Sequence, residues 1–430
     1  MGKMKREKNC IMNNRIQLKE AILYWLKLGF ISFGGPASQI SMMHEEIVEK
    51  KKWIDDKSFF HALNFTMLLP GPEAQQLATY LGWLMHGRLG GFIAGVLFIL
   101  PSFFILTSLT YVYINFSDNI WGDGILYGVK AAVIAIIFSA TIKIAKKVLK
   151  KIYYWLAAVT AFLAINILDA NFPLIIIFAG LIGFLFYFKE KKFENKNPLN
   201  FLSNKVLIKL SYTFLIAVLI WLLAIIFILF SKESILLNLS LFFSKAALVT
   251  FGGAYALLPY VFQNIIESHG WLTSQQMIDG LALGESTPGP LIMIVTYVGF
   301  IVGWSNDIFA LGNPLFGALI CALVATFFTF LPSFAFIFIG APLIELSKKN
   351  KTLDIPLSFI TSAVVGLIAN LGFVLAYNSL WINNNGAEYF DVNLLVLIVL
   401  SLLALQKAKV GILPLLLTLG LTGMMMKIYF

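Results

Sequence analysis

Two lysines stand inside long apolar stretches at matching places in the chain. Lys27 precedes the motif Phe33-Gly34-Gly35 by six residues, and Lys245 precedes Phe251-Gly252-Gly253 by the same interval. A lysine within an apolar run is costly and usually faces a polar cavity or a partner. The pair therefore predicts positive charge on two sides of one anion site. The alternative is that each side chain snorkels to the edge of the apolar layer, because both lysines lie near the start of their runs.

A proline–glycine–proline motif also occurs twice, at residues 70–72 and 288–290. Proline removes a backbone donor and clashes with the preceding helical turn, and glycine permits dihedral angles that other residues avoid. Each motif therefore predicts a helix that is broken into two halves. Half-helices beginning near Glu73 and Leu291 would direct free N–H groups and positive dipole ends at the break, which suits an anion. The alternative is a simple kink in an ordinary helix.

Two acidic residues flank these breaks. Glu73 directly follows the first motif and Glu285 shortly precedes the second, so the two acids do not occupy matching positions. A carboxylate within an apolar layer is the usual proton carrier of coupled transport, which makes both acids candidates for proton coupling. The alternative role is to cap a helix or to pair with a buried lysine.

Further polar groups and glycines around the motifs complete the predicted anion site. Arg88 has a planar guanidinium that suits bidentate oxyanion binding, although it could equally be an anchor at the membrane interface. Besides the two lysines and Arg88, the predicted substrate-binding residues are Ser32, Gly34, Gly35, Gly71, Gln75, Gln76, Thr250, Gly252, Gly253, Ser286 and Gly289.

The sequence carries no recognisable catalytic or cofactor motif. Its four histidines lack the spacing of metal ligands, and no hydrolase, phosphate-loop or dinucleotide fingerprint occurs. Cys10 and Cys321 indicate neither a disulfide framework nor a metal site. We therefore expect no enzymatic activity, no metal and no cofactor.

The composition requires that much of the chain face lipid. Of 430 residues, 59% are hydrophobic and 13% are charged, and the mean hydropathy is +0.84. Soluble proteins have about half apolar and a quarter charged residues. The net charge of +10 comes from lysines clustered between apolar runs, as the positive-inside rule expects for cytoplasmic loops, and does not indicate nucleic-acid binding.

Apolar runs that could cross a bilayer recur along the chain. The predicted spans are 18–40, 61–86, 90–114, 123–143, 152–168, 172–188, 206–230, 236–258, 277–303, 313–341, 357–378, 392–406 and 410–428. With the amino terminus inside, the basic connections fall inside, with one exception. Residues 43–60 would lie outside although they include Lys50, Lys51, Lys52 and Lys57.

The chain consists of two related halves. At an offset of 218, residues 33–35 match 251–253, Trp53 matches Trp271, and residues 70–72 match 288–290. With small length changes, residues 79–82 match 296–299 and residues 100–103 match 331–334. Five ordered matches establish an internal duplication.

The fold class that follows is all-α. We predict a polytopic membrane protein with about 12–13 transmembrane helices in two homologous repeats, with helices broken at the Pro-Gly-Pro motifs. Seven predicted spans separate the starts of the repeats, and an odd number inverts the second copy. If residues 61–86 were a re-entrant hairpin, that number would be even and the repeats parallel. The predicted domains are repeats at 1–188 and 236–430, joined by a basic linker and connecting transmembrane helix at 189–235.

These segments resemble the chromate transporter family. The resemblance is carried by residues 27–36 (KLGFISFGGP), 69–72 (LPGP), 100–102 (LPS), 250–253 (TFGG) and 288–291 (PGPL), and it covers both halves, as in long-chain duplicated members. It implies a membrane protein that moves chromate, commonly outward. Together with the repeats and the two acids, this predicts a secondary transporter that works by alternating access at the interface of the repeats, with proton coupling as a candidate mechanism.

The resemblance also implies a multi-pass protein of the bacterial inner membrane. Its expected partners are a small oxyanion and the lipid bilayer, without nucleic acid, and a homodimer is compatible with it. The residues alone do not name the oxyanion, because chromate and sulfate are tetrahedral dianions of similar size. The alternatives are a transporter of sulfate or another small anion, and an anion channel whose filter is lined by the broken helices.

Overall fold

Helices dominate the computed structural model, which describes residues 16–67, 69–116, 119–190, 204–251, 253–306, 308, 312–344, 354–384 and 387–429. The helices of these residues are α1 (Leu18–Ile31), α2 (Gly35–His44), α3 (Asp56–Thr66), α4 (Glu73–Phe116), α5 (Ile120–Val148), α6 (Ile152–Leu168), α7 (Phe172–Glu190), α8 (Asn204–Ser231), α9 (Ser234–Val249), α10 (Ala254–Gln263), α11 (Ser274–Ser286), α12 (Ile294–Ser305), α13 (Pro314–Ile344), α14 (Asp354–Leu380), α15 (Val392–Gln406) and α16 (Ile412–Tyr429). Strands β1 (Trp381–Asn384) and β2 (Ala387–Phe390) form one antiparallel hairpin. The predicted all-α class is confirmed.

Helices α1 and α2 form a hairpin that begins and ends on one side of the molecule, which we call the amino-terminal side. Helix α1 has 14 residues, so its length is about 21 Å, too short for the ~30 Å of a bilayer core. Gly34 and Gly35 turn the chain with φ angles of +91° and +78°. A π-helical segment, Glu45–Lys50, extends α2. Beyond it, the Nζ atom of Lys51 lies 2.7 Å from Oε1 of Glu20 in the first turn of α1.

Helix α3 and the first part of α4 form a second hairpin around the first Pro-Gly-Pro motif. Helix α4 is broken at His86 and Gly87 into two arms, residues 73–85 and 88–116. A Cβ atom added to Gly82 would lie 2.5 Å from the carbonyl oxygen of Gly90, so the arms pack against each other as antiparallel neighbours. The Nε2 atom of His86 lies 2.9 Å from the carbonyl oxygen of Ile16. The first arm therefore ends on the amino-terminal side, where α3 also begins.

The second half contains the same two hairpins. In the hairpin of α9 and α10, the ring centroids of Phe242 and Trp271 are 5.7 Å apart. Their counterparts in the first half, Tyr24 and Trp53, are 5.6 Å apart. Helices α9 and α10 therefore turn back at the second Phe-Gly-Gly motif as α1 and α2 do at the first.

Helices α11 and α12 turn back at the second Pro-Gly-Pro motif. The hydroxyl of Tyr297 in α12 donates to the carbonyl oxygen of Gln276 in the first turn of α11 at 2.8 Å. Four predicted spans, 18–40, 61–86, 236–258 and 277–303, are thus re-entrant hairpins or parts of them. The hydropathy signal measures the length of an apolar run and carries no information about its direction.

Because the hairpins turn back, fewer segments cross the membrane than the sequence predicts, but the second repeat is still inverted. Between the starts of the two repeats, the crossing segments are the second arm of α4 and helices α5, α6, α7 and α8. Five is an odd number, so the second repeat is inverted, as predicted from a different count. Residues 43–60 lie on the amino-terminal side, and the prediction that they lie opposite is wrong. Their lysines join the other basic connections, which removes the exception to the positive-inside rule.

The four hairpins pack centrally and the longer helices surround them. One cluster of buried apolar side chains joins helices α9 to α12 to α5, α6, α7 and α14, and another holds α1 to α4 together. By length and composition, α4, α5, α8, α13 and α14 could each cross a membrane. Helix α8, which connects the repeats, is peripheral, since Phe227 and Phe230 are 78% and 81% exposed. Residues 191–203 of the predicted linker lie outside the described residues.

Candidate functional site

The tips of the four hairpins meet, and each Pro-Gly-Pro loop bonds to the opposite repeat. The N–H of Gly71 donates to the carbonyl oxygen of Thr250 at 2.7 Å, and the N–H of Gly289 donates to that of Ser32 at 2.9 Å. The offset of 218 relates one bond to the other. We call these loops, residues 32–35, 70–72, 250–251 with 253, and 288–290, the central seam. The central seam therefore pairs each Pro-Gly-Pro motif with the Phe-Gly-Gly motif of the opposite repeat.

Two serines that sequence reasoning missed reinforce the crossed pairing. The hydroxyl of Ser102 donates to the carbonyl oxygen of Pro288 at 2.5 Å. Ser333 occupies the equivalent position in the second repeat, and its Oγ atom would lie 2.5 Å from a Cβ atom on Gly71. Both serines are fully buried. The repeated Leu-Pro-Ser motif is a signal that could have identified them.

Glycine is required at the tips of both Pro-Gly-Pro loops. Gly71 has a φ of +127° and Gly289 a φ of +102°, angles that other residues rarely adopt. A Cβ atom on Gly71 would approach Gln76 Nε2 to 2.5 Å, and one on Gly289 would overlap the hydroxyl of Ser102. The absence of a side chain lets each loop reach the backbone of the opposite repeat.

Three fully buried glutamines line the central seam. The amide of Gln39, which sequence reasoning missed, donates to the carbonyl oxygens of Ser32 at 3.0 Å and Gly289 at 2.5 Å and so links the repeats. Gln76 donates to the carbonyl oxygen of the first proline of its own loop at 2.7 Å. Gln75 donates to the threonine hydroxyl one turn further along α4 at 3.0 Å.

Several polar atoms buried at the central seam have no hydrogen-bond partner within the described part of the protein. They are the hydroxyl oxygens of Ser32 and Ser333 and the side-chain carbonyl oxygens of Gln39, Gln75 and Gln76. Buried polar atoms are nearly always paired, so these groups are available to ordered water or to a polar ligand. The serine hydroxyls can donate to an oxyanion, and a flip exchanges the donor and acceptor ends of each amide.

The two acids face the Phe-Gly-Gly loops of opposite repeats although they do not match in sequence. Oε1 of Glu73 lies 3.1 Å from the position of a Cβ atom on Gly253. Glu285 is buried and accepts a hydrogen bond from the hydroxyl of Tyr255 at 3.0 Å. The same hydroxyl lies 3.8 Å from the position of a Cβ atom on Gly35. One carboxyl group therefore stands at each Phe-Gly-Gly loop, directly in one case and through a tyrosine in the other.

Helix α5 brings positive charge toward these acids. Lys147 attracts the carboxylate of Glu73, and Lys143 attracts that of Glu285. Both lysines are exposed in the last two turns of α5, on the amino-terminal side. The sequence indicated them only as basic charges of a connection, because their distance from the acids depends on helix packing.

Lys27 and Lys245 lie away from the central seam. Both are exposed. Lys27 shares its face of α1 with the exposed Leu23, and Lys245 shares its face of α9 with the exposed Leu241, each four residues earlier. This placement on apolar stripes agrees with snorkelling. Their role as anion ligands stays a prediction.

Arg88 lies on the amino-terminal side, where the first arm of α4 ends, and Ser286 lies beside the central seam. Arg88 is exposed at the start of the second arm of α4, and its Nη2 atom donates to the hydroxyl of Thr213 in α8 at 2.9 Å, as an interfacial anchor would. The hydroxyl of Ser286 donates to the carbonyl oxygen of Leu283 in its own helix at 2.9 Å. Gly252 lies outside the described residues.

Inverted repeats whose broken helices meet at the centre of a polytopic membrane protein are an architecture of secondary transporters. A family profile described as Chromate transporter matches residues 19–184 and 237–424, which includes most of both repeats. The chain belongs to the chromate transporter family, whose members are membrane transporters.

Named relatives match over most of the chain. It is 31% identical over 369 residues to a probable chromate transport protein of Synechococcus elongatus, covering 84% of this chain and 86% of the relative. It is 30% identical over 369 residues to a chromate transport protein of Cupriavidus metallidurans, covering 84% of each. A chromate transport protein of Pseudomonas aeruginosa is 35% identical over 353 residues, covering 80% of this chain and 77% of the relative. No solved structure matches the chain.

Proposed function

We propose that the protein is a secondary transporter that exports chromate across the bacterial inner membrane by alternating access at the interface of its two repeats. The names of its relatives support chromate as the substrate. The positive-inside rule favours a cytoplasmic location for the amino-terminal side, which carries the basic connections. Assembly as a homodimer is compatible with the proposal.

The observation that carries the proposal is the crossed pairing of the loops. The bonds of Gly71 to Thr250 and of Gly289 to Ser32 join opposite repeats, whereas the packing within each hairpin joins residues of one repeat. A rocking motion of one repeat against the other would change the contacts between the repeats and preserve the packing within each hairpin. The central seam is therefore suited to be both barrier and binding site.

The chemistry of the central seam suits a tetrahedral dianion. Ser32 and Ser333 supply hydroxyl donors from the two repeats. The first arm of α4 begins at Glu73 and directs its N-terminal N–H groups toward the same place. Lys143 and Lys147 would raise the local concentration of anions at the entrance on the amino-terminal side.

Glu73 and Glu285 supply a physical reason for proton coupling. A dianion that enters the central seam is repelled by a carboxylate at each Phe-Gly-Gly loop, and within a low-dielectric interior this repulsion is large. A proton on either carboxyl group removes that group's share of the repulsion and therefore favours anion binding. Movement of protons and of the oxyanion would be linked through these two groups.

The test is counterflow in proteoliposomes loaded with unlabelled chromate and given labelled chromate outside. A carrier accumulates label transiently above its equilibrium level, whereas a channel cannot, and replacement of internal chromate by sulfate shows whether sulfate is also carried. An absence of overshoot with rapid equilibration would support a channel. Overshoot with sulfate on both sides and none with chromate would contradict chromate as the substrate.

A matched pair of variants ties counterflow to the central seam. Gln39→Leu removes two hydrogen bonds at the seam, one of which joins the two repeats, and a loss of ~2 kcal/mol predicts exchange that is slower by ~tenfold or more. Gln406→Leu is the control, since Gln406 lies at the end of α15 and its amide nitrogen has no partner within the described residues. Equal activity of the two variants would remove Gln39 from the mechanism.

A further inference from the structure

The hydroxyl of Tyr255 stands between an acid of the second repeat and a loop of the first. It donates to Oε1 of Glu285 at 3.0 Å, and its oxygen lies 3.8 Å from the position of a Cβ atom on Gly35. Tyr255 is in α10 and Glu285 is in α11, so this bond also links the two hairpins of the second repeat. One oxygen atom therefore contacts a candidate proton carrier and faces the central seam.

The part of the central seam beside this hydroxyl is accessible. Gly34 is exposed and Gly35 is partly exposed. At the matching loop of the second repeat, Gly253 is buried. Tyr255 is itself partly exposed, although it belongs to one of the four central hairpins. An anion at the first Phe-Gly-Gly loop can therefore approach the oxygen atom of Tyr255.

The other charged groups around Glu285 and Tyr255 act from a greater distance. Lys143 of α5 attracts the carboxylate of Glu285, but no ion pair joins the two among the described residues. Glu73 of α4 faces Gly253, which lies two residues before Tyr255 in the chain. A proton that binds Glu285 therefore acts first on the hydrogen bond with Tyr255.

The charge of Glu285 decides where the tyrosine hydroxyl can donate. A carboxylate only accepts hydrogen bonds, so an ionised Glu285 takes the O–H of Tyr255, and the tyrosine oxygen then presents only lone pairs to the seam. A protonated Glu285 has an O–H of its own to donate. The tyrosine oxygen accepts that bond, and the O–H of Tyr255 is then free to donate to an anion.

We infer that Tyr255 is a substrate-binding residue whose hydroxyl donates to the oxyanion only while Glu285 is protonated. The proton stays on Glu285, where it bonds to the tyrosine oxygen, and no covalent bond of the substrate changes. This role rests on the proposed function, because it describes how a proton on one acid and the bound oxyanion favour each other. Ala37 occupies the position that matches Tyr255 at the offset of 218, so the first repeat supplies no equivalent hydroxyl.

The experiment is chromate counterflow in proteoliposomes that contain the full chain, with equal pH on both sides, at a series of pH values. The half-saturating chromate concentration of each variant is divided by that of the wild type at the same pH, so that protonation of chromate itself cancels. For Tyr255→Phe, the loss of a bond to a charged group predicts a ratio of ~tenfold or more at the lowest pH, which falls toward one as the pH rises. A purely structural role of the hydroxyl would give the same ratio at every pH.

Glu285→Gln should keep the tyrosine in its donating state. A glutamine amide donates through its nitrogen and does not titrate, so it can bond to the tyrosine oxygen at every pH. In this background, Tyr255→Phe should therefore raise the half-saturating concentration by ~tenfold at every pH. In a Glu73→Gln background, the effect of Tyr255→Phe should keep the pH dependence that it has in the wild type.

Tyr260→Phe is the matched control. Tyr260 lies five residues further along α10, and its ring stacks on that of Phe242 with the centroids 5.6 Å apart. Its substitution also removes one tyrosine hydroxyl from the same helix. The ratio for Tyr260→Phe should stay within ~twofold of one at every pH.

The failure of the proposed function and the failure of the role of Tyr255 give different results. Wild-type proteoliposomes without counterflow would overturn the proposed function. With normal wild-type counterflow, a Tyr255→Phe ratio that is constant with pH would overturn the role of Tyr255 alone, as would the absence of an effect in the Glu285→Gln background. If Tyr255→Phe does not fold, Glu285→Gln decides by itself, and a pH dependence equal to that of the wild type would overturn the role.

Discussion

Replacement of Gly289 by alanine should disrupt the central seam through two separate effects. The first is backbone strain, because a φ of +102° is costly for a residue with a side chain, by about 1–3 kcal/mol. The second is overlap of the new methyl group with the hydroxyl of Ser102, and forced overpacking of this kind costs about 1–3 kcal/mol. Together they predict a destabilisation of about 2–6 kcal/mol and a loss of transport, since the loop must leave its bond with Ser32.

The assay is thermal unfolding of purified Gly289→Ala in detergent, with counterflow measured on the same preparation. Gly270→Ala is the control, because Gly270 also has a positive φ, of +60°, but no atom lies within 4 Å of an added Cβ. Adding Ser102→Gly to Gly289→Ala should recover the overlap part, about 1–3 kcal/mol, and leave the backbone strain. If Gly289→Ala unfolds at the same temperature as Gly270→Ala and transports normally, the close approach at the seam is refuted.

Two further predictions concern charged residues. Lys27→Met and Lys245→Met test the predicted ligand role of these lysines, which requires that each variant abolish chromate exchange. Exchange within ~twofold of the wild type in either variant would instead show that the lysine snorkels from its exposed apolar stripe. Glu73→Gln and Glu285→Gln should each make exchange less sensitive to an imposed pH gradient, since an amide cannot carry the proton. Unchanged acceleration by the gradient in both glutamate variants would exclude these groups as the coupling site.

The sequence was sufficient for the duplication and for the motifs that meet at the centre. Residues 70–72 and 288–290 combine two prolines with a glycine, and no continuous helix accommodates that combination, so the breaks follow from local chemistry. The direction of the chain after each break does not. It depends on contacts such as that of His86 with Ile16, which joins residues far apart in sequence. For this reason the re-entrant hairpins were predicted as crossing spans.

The sequence did not identify residues whose role depends on contacts made only in the folded protein. Gln39 has no repeated partner, and only the approach of the opposite loop gives it the carbonyl oxygen of Gly289 as a second acceptor beside that of Ser32. Hydropathy and repeat matching detect features that are local or duplicated. A contact between non-equivalent residues of different repeats is neither local nor duplicated, so these methods do not detect it.

The acids show how inversion changes the meaning of a sequence match. Glu73 and Glu285 occupy unmatched positions, which favoured an asymmetric acidic region. In the fold, each Pro-Gly-Pro hairpin crosses to the opposite Phe-Gly-Gly loop, so the acid of one repeat is placed by the backbone of the other. Glu73 reaches Gly253 directly, and Glu285 reaches the Gly35 region through Tyr255. Similar surroundings therefore arise from different residues, and under the proposed alternating access the two carboxyl groups would exchange roles as the protein opens first to one side and then to the other.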